Sequence, residues 1–206
     1  MQDNRRPITS RSKRWAIKLA NALINHDISP NQISVASIGF AAVAAASMGA
    51  STGMLASLSA IAFIQLRLMC NLLDGMVAIE GGKHSALGSL YNEFPDRIAD
   101  SLLIVALGYA VGDPSLGWFA ALVAALTAYV RVFGGALGLK QTFAGPMAKQ
   151  HRMAVMTAGL ALNIPESVLF ATHKALFIAL IIIAAGSVIT CITRTRIIAA
   201  QLKEVQ

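Results

Sequence analysis

The sequence predicts an all-α integral membrane protein with six transmembrane helices preceded by an N-terminal amphipathic surface helix. Three observations carry that expectation. Of the 206 residues, 56% are hydrophobic and only 13% are charged, with a mean hydropathy of +0.63, whereas a soluble domain carries about a quarter charged residues. Six apolar runs approach the ~20 residues that a bilayer crossing requires. Lys and Arg gather in alternate loops, the bias that orients membrane proteins. Aromatics are few, at 6%. The small side chains that fill the apolar runs suit helices packed closely in lipid.

A basic arm comes first, over residues 1–30. Trp15, Ile17, Leu19 and Ala20 mix with Lys13, Arg14 and Lys18, a pattern suited to the headgroup interface and to anionic membrane lipid. The arm has no apolar core of the length a signal peptide needs. Pro30, in "DISPNQIS", marks the start of a helix. The membrane core is expected over 31–193, with spans from about Ile33 to Ala50, Met54 to Ile79, Ala86 to Val111, Leu116 to Leu139, Met153 to Phe170 and Ala175 to Ile192. "NIPES" is expected to interrupt the fifth. Residues 194–206 form a tail. Arg5, Arg6, Arg11, Lys83, Lys140, Lys149, Arg152, Arg194, Arg196 and Lys203 fall on one side, while the opposite loops hold only Lys174. Both termini and the second and fourth loops are therefore expected in the cytoplasm. The formal charge of +7 is read as this orientation bias, with no nucleic-acid partner. Cys70 and Cys191 lie in apolar runs and suggest neither a disulfide framework nor metal spacing.

The informative stretch is "NLLDGMVAIEGGKHSALGSLYNEFPDRIAD", residues 71–100, where polar groups interrupt an oily chain. Near the end of the second span, Arg67, Asn71 and Asp74 share one helix face. At the start of the third, Asn92, Asp96 and Asp100 form a stripe, with Glu93 and Arg97 beside it. A short loop makes these two helices neighbours, so their polar faces meet at the cytoplasmic edge. Ionised groups there are costly and mark a functional site. The competing explanation is an internal ion-pair lattice in which Arg67, Arg97 and Arg131 neutralise the acids. Gly75 and Gly88, with small residues around them, leave room for a ligand. Oxygen donors without a His or Cys partner point to a hard cation such as Mg²⁺ (or Mn²⁺) and hence to phosphate chemistry. His84 reads as a solvated loop residue.

These residues resemble the CDP-alcohol phosphotransferases, whose pattern is D-x2-D-G-x2-A-R-x8-G-x3-D-x3-D. The eight positions carry Asn71, Asp74, Gly75, Ala78, Ile79, Gly88, Asn92 and Asp96, with every spacing kept and five identities. The six-span layout and "SPNQIS" before the first span extend the likeness over nearly the whole chain. The resemblance implies a phospholipid-synthesis transferase of the bacterial inner membrane. Such an enzyme moves a phosphatidyl group from CDP-diacylglycerol, or a similar CDP-linked lipid, to a polar alcohol acceptor and releases CMP. It also implies one or two divalent ions, a homodimer, Asp74 as metal ligand and Asp96 at the position of the base. Asn71, Asp74, Gly75, Ala78 and Gly88 are implied to bind the nucleotide. Lys149 and Arg152 resemble the family's basic stretch after the fourth span, which meets an acceptor phosphate or the diphosphate, although an orientation loop explains them as well; together with Arg131 they point to an acidic or phosphorylated acceptor.

Three positions depart from the pattern. Asn71 and Asn92 replace acids, which takes the formal charge at the four acidic positions from −4 to −2, and Ile79 replaces the arginine. Asn still offers a carbonyl oxygen to a cation. Three readings remain open: Glu93 and Asp100 restore the missing charge as further metal ligands; one metal serves an altered reaction; or the site binds a lipid or nucleotide without turnover. A small ion- or proton-coupled transporter is a rival of another class, although no inverted repeat is evident.

Overall fold

The computed structural model describes residues 14–83 and 86–204, and these fold into seven helices. They are α1 (Arg14–Asn25), α2 (Pro30–Ala50), α3 (Met54–Glu80), α4 (Gly88–Ala110), α5 (Pro114–Ala136), α6 (Lys149–Leu169) and α7 (Lys174–Glu204). Arg5, Arg6, Arg11 and Lys13 of the basic arm, and His84, lie outside the described residues.

Local chemistry sets the helix starts. Ser29 caps α2 in a reciprocal box: its Oγ accepts from the Gln32 amide at 3.3 Å, and Gln32 Oε1 accepts from the Ser29 amide at 2.9 Å. Pro30 follows at the first helical position, where its missing N–H is not needed. Asp113 and Pro114 repeat the arrangement on α5, with Asp113 Oδ1 accepting from the Leu116 amide at 2.9 Å.

Four helices, α2, α3, α5 and α7, are long and apolar enough to cross a membrane, and the chain is a multi-pass membrane protein. α4 and α6 have 23 and 21 residues but do not stand out by composition. α4 carries Glu93, Asp96, Arg97 and Asp100, and α6 carries Lys149, Arg152 and Glu166. Large apolar side chains such as Leu55, Leu122, Leu162 and Ile178 cover the outside, as expected of a protein whose solvent is lipid.

α2 packs against α3 and α4, α5 against α4 and α7, and α6 against α3 and α7. Short connections reverse the chain each time. The starts of α2, α4 and α6 therefore meet the ends of α3, α5 and α7 at one end of the bundle. α1 lies beside α3 there, burying Ala16 and Ala20 against Leu72, Leu73, Met76 and Val77 while Trp15 and Ile17 stay exposed. Lys83 Nζ donates to Asp27 Oδ1 at 2.5 Å and ties the two loops on this side. That hydrogen bond and the ammonium charge hold the Asp27 carboxyl below its ordinary pKa. At the opposite end, Asn163 Nδ2 donates to the Thr52 carbonyl at 2.7 Å and Ser57 Oγ at 3.0 Å, and His173 joins Asn163 to Thr52.

Two boundaries differ from expectation. "NIPES" does not interrupt its span. Pro165 lies inside α6, which continues to Leu169; prolines are tolerated within membrane helices where nearby groups meet the freed backbone. Glu166 turns back to cap α7, accepting from the Lys174 amide at 2.6 Å and the Ala175 amide at 2.8 Å. The second difference is that the helix expected to end near Ile192 runs to Glu204. Arg194 is buried in the bundle rather than solvated, donating to the Thr127 carbonyl at 2.5 Å and the Ala144 carbonyl at 2.9 Å.

Backbones approach most closely between α4 and α5. A Cβ added at Gly108 would fall 2.5 Å from the Gly117 Cα, nearer than packed carbons come. Gly117→Val should accordingly cost about 1–3 kcal/mol by overpacking. Gly49→Ala, where an added Cβ meets nothing within 4 Å, should be neutral or stabilising by up to ~1 kcal/mol. Thermal unfolding of the two variants in detergent measures both effects.

Candidate active site

At the end of the bundle that gathers α1 and the starts of α2, α4 and α6 lies a cavity of about 940 Å³. Asn71 from α3, Asn92, Glu93 and Asp96 from α4, Arg131 from α5 and Lys149 from α6 all reach it. The polar side chains of α3 and α4 meet as the register predicts, through Arg67 reaching Asp96 and Asp100, but the two helices each pack on α2 and not, as expected, on each other; α5 and α6 close the remaining sides.

The acids have distinct surroundings. Asp96 lines the cavity and is 9% exposed. It forms an ion pair with Lys149, and the Arg67 guanidinium stands 3.6 Å away. The Asn71 amide sits between the pair; assigned in the orientation that satisfies both neighbours, its Nδ2 donates to Asp96 Oδ1 at 3.1 Å and its Oδ1 accepts from Lys149 Nζ at 2.7 Å. Asp74 is buried behind this wall. Its Oδ2 accepts from Ser34 Oγ of α2 at 2.7 Å, and its Oδ1 accepts from the Gly75 amide at 2.6 Å. The Asp96 carboxylate and the Lys149 ammonium both act on it electrostatically.

Asp100 is deeper, at 3% exposure. Arg67 Nη2 donates to one oxygen at 2.5 Å and Arg152 Nη2 to the other at 2.8 Å. Arg152 also donates to the Met147 carbonyl at 2.9 Å and to Thr127 Oγ1 at 3.3 Å. Glu93 pairs with Arg131 and, at 3.5 Å, with Arg97. Arg131 is further fixed by Gln141 Oε1 at 2.6 Å and by the ring of Phe143, 5.2 Å from its centroid.

Glu93 and Asp100, further metal ligands in one of the three readings of the sequence, face guanidiniums. Their negative charge is taken up within the bundle, so the ion-pair lattice and the cavity coexist on the same helices. Arg152, expected to meet a phosphate, lines the cavity but spends its charge on Asp100. Lys149 is directed at Asp96. Gly75 and Ala78 lie on α3 beside Asp74, and an added Cβ at Gly88 would meet open space. Ser34, Thr127, Gln141 and Phe143 were not singled out from the sequence. Ser34 was within reach, since it lies in the quoted "SPNQIS" on the turn that opens α2; nothing local marks the other three.

Among the described residues, no three His, Cys, Asp or Glu side chains converge as a ready-made metal cage. The oxygen donors that line the cavity are Asp96 and the amides of Asn71 and Asn92, with Asp74 buried behind that wall. Two carboxylates with neutral oxygens fit one hard divalent ion that keeps waters and shares substrate phosphates.

No family profile matches the chain. Over 156 residues the chain is 31% identical to a bifunctional IPC transferase and DIPP synthase of Rubrobacter xylanophilus, covering 73% of this chain and 35% of that protein. Over 107 residues it is 36% identical to an archaetidylinositol phosphate synthase of Aeropyrum pernix, covering 52% and 55%. The chain therefore spans about a third and about half of these relatives' lengths. Its fold is that of Mycobacterium tuberculosis phosphatidylinositol phosphate synthase. The likeness to the form with CDP-DAG bound has a TM-score of 0.76 at 18% identity, over 90% of this chain and 94% of the other. The form in complex with manganese and citrate gives 0.74 at 17% identity, over 89% and 88%. By these likenesses and the motif spacing, the chain is similar in sequence to these two synthases and in fold to the mycobacterial one.

Asp100→Asn should destabilise the fold by about 3–5 kcal/mol, because two buried guanidiniums lose their common counter-charge. Glu93→Gln, at a half-exposed pair, should cost less than about 1 kcal/mol. Equilibrium unfolding of the purified variants in detergent separates these values.

Proposed function

We propose that the chain transfers a phosphatidyl group from CDP-diacylglycerol, or a similar CDP-linked lipid, to a polar alcohol with release of CMP. The observation that carries this reading is a cavity where a buried carboxylate, Asp96, stands among amides and an ammonium at one end of a helical membrane bundle. Trp15, Leu68, Met69 and Leu72 give the same cavity an apolar rim, suited to a substrate that is part lipid. The 1–206 chain acts as one membrane domain, with six spans including α4 and α6, α1 at the headgroup interface, and both termini and the cavity on the cytoplasmic side of a bacterial inner membrane. The excess of Lys and Arg at that end supports this orientation. A homodimer is the state the family resemblance favours.

Each residue then has a task. Asn71, Asp74, Gly75, Ala78 and Gly88 shape the nucleotide side. Asp74 and Asp96, with the Asn71 and Asn92 oxygens, would hold Mg²⁺ or Mn²⁺; the manganese-bound synthase of the same fold supports a divalent ion here. When bound, that ion offsets negative charge on the diphosphate oxygens. Asp96 accepts the proton of the acceptor hydroxyl as its oxygen bonds to the lipid-bearing phosphorus. The bond from that phosphorus to the bridging oxygen breaks, and CMP leaves with the electron pair. Arg67 and Arg152 hold Asp100 and thereby fix the α4 turn that carries Asp96. Arg131 and Arg97 give the other cavity wall a basic character that favours an acidic or phosphorylated acceptor, in line with the likeness to an archaetidylinositol phosphate synthase and to a phosphatidylinositol phosphate synthase.

One observation favours a second reading, binding without turnover: Lys149 already neutralises Asp96. The experiment is CMP release from CDP-diacylglycerol by purified protein with Mg²⁺ or Mn²⁺ and a panel of alcohols that includes inositol phosphate and glycerol phosphate. Turnover should require the divalent ion and cease with EDTA. Asp96→Asn should lower it by about 10²–10⁴-fold, the usual contribution of a positioned base. CDP-diacylglycerol binding with no CMP from any alcohol would favour the binding protein. Proton flux in liposomes without either substrate would favour a transporter.

A further inference from the structure

Negative charge around the site is already balanced. The four carboxylates Asp74, Glu93, Asp96 and Asp100 stand among five cationic side chains, Arg67, Arg97, Arg131, Lys149 and Arg152, so no negative charge is in excess. Asp100 is fully committed to its two guanidiniums, and Glu93 to Arg131 and Arg97. An incoming cation can draw only on Asp74 and Asp96, and Asp96 carries the Lys149 ammonium, whose side chain is 15% exposed. Asn71 is fitted to that ion pair: its amide donates to the carboxylate and accepts from the ammonium. An aspartate at 71 could accept from Lys149 but not donate to Asp96. The amide is therefore more than a weakened acid, because it secures a lysine in the cation position.

We propose that Lys149 is a built-in monovalent cation that competes with the divalent ion for Asp96, so that the site holds one divalent ion and holds it weakly until Lys149 moves away. This inference rests on the metal-binding part of the proposed function. A second divalent ion would bring two more positive charges to a site whose two available carboxylates, Asp74 and Asp96, already serve the first, a cost that amide oxygens do not offset. Substrate phosphates, being anionic, would draw the ammonium from Asp96 and open that carboxylate to the ion.

The test is Mn²⁺ binding to the full-length protein in detergent, followed by electron paramagnetic resonance with no CDP-lipid or acceptor present. A failure of the transferase reading would appear in the CMP assay and leave this measurement untouched. Wild type should bind one Mn²⁺ per chain. Lys149→Met should bind it about tenfold or more tightly, since removing a neighbouring positive charge favours the metal, whereas Lys149→Arg should stay close to wild type. Two Mn²⁺ of similar affinity in wild type would overturn the proposal. So would unchanged or weaker binding in Lys149→Met that unfolds at the wild-type temperature. If Lys149→Met does not fold, the wild-type count together with Asn71→Asp decides: with the amide's donated bond gone and a carboxylate added, Mn²⁺ should bind more tightly, and no change overturns the idea.

Discussion

The arrangement of this bundle depends on one buried carboxylate. Asp100, on α4, is gripped by Arg67 from α3 and Arg152 from α6. A lone ion at this depth would carry a prohibitive desolvation penalty, and so would either arginine without it. Together they hold three helices in a fixed rotation about their axes. Asp96 sits one turn from Asp100, so the same grip sets the direction of the cavity-facing carboxylate. Nε and Nη1 of Arg67 remain without a hydrogen-bond partner, which shows how far this cluster trades polar satisfaction for position.

Around that point the packing depends on small side chains. Ala41, Ala44, Ala60 and Ala99 bring α2, α3 and α4 together, and Gly108 and Gly117 let α4 and α5 nearly touch. Apolar burial does little to associate helices in lipid, because the exterior is as oily as the interior. Close contact and polar links across helices supply what the hydrophobic effect does not. The chain places such links at both ends of the bundle: the acid–guanidinium cluster at one, and Asn163 with His173, Thr52 and Ser57 at the other.

Much of this was legible in the sequence, and the reasons can be stated for particular residues. Helix limits followed from apolar runs and from local signals such as Ser29–Pro30 and Asp113–Pro114. The motif spacing put Asn71 and Asp74 on one helix face, and Asn92 and Asp96 on another, since only the 3.6-residue period was needed. What stayed hidden were partnerships between distant segments. Arg152 reaches Asp100 across 52 positions and Ser34 reaches Asp74 across 40. In sequence, Lys149 and Arg152 look like any basic loop that orients a membrane protein. Whether such a cation points to water or into the bundle depends on helix rotation, which tertiary packing decides. The end of α7 was missed for the same reason: Arg194 reads as a tail residue until the carbonyls of Thr127 and Ala144 are found beside it.

Lys149 is also the first residue of α6, and its cap, Ala148, has no side chain that can accept from the exposed amides of the first turn. A helix start bears roughly half a positive charge, which disfavours a cation there by about 0.3–1 kcal/mol in exposed settings. The ammonium is thus held against the field of its own helix by Asp96 and Asn71, with Asp100 attracting it from one turn deeper. A residue so placed is poised rather than locked: the backbone that carries it also pushes it away.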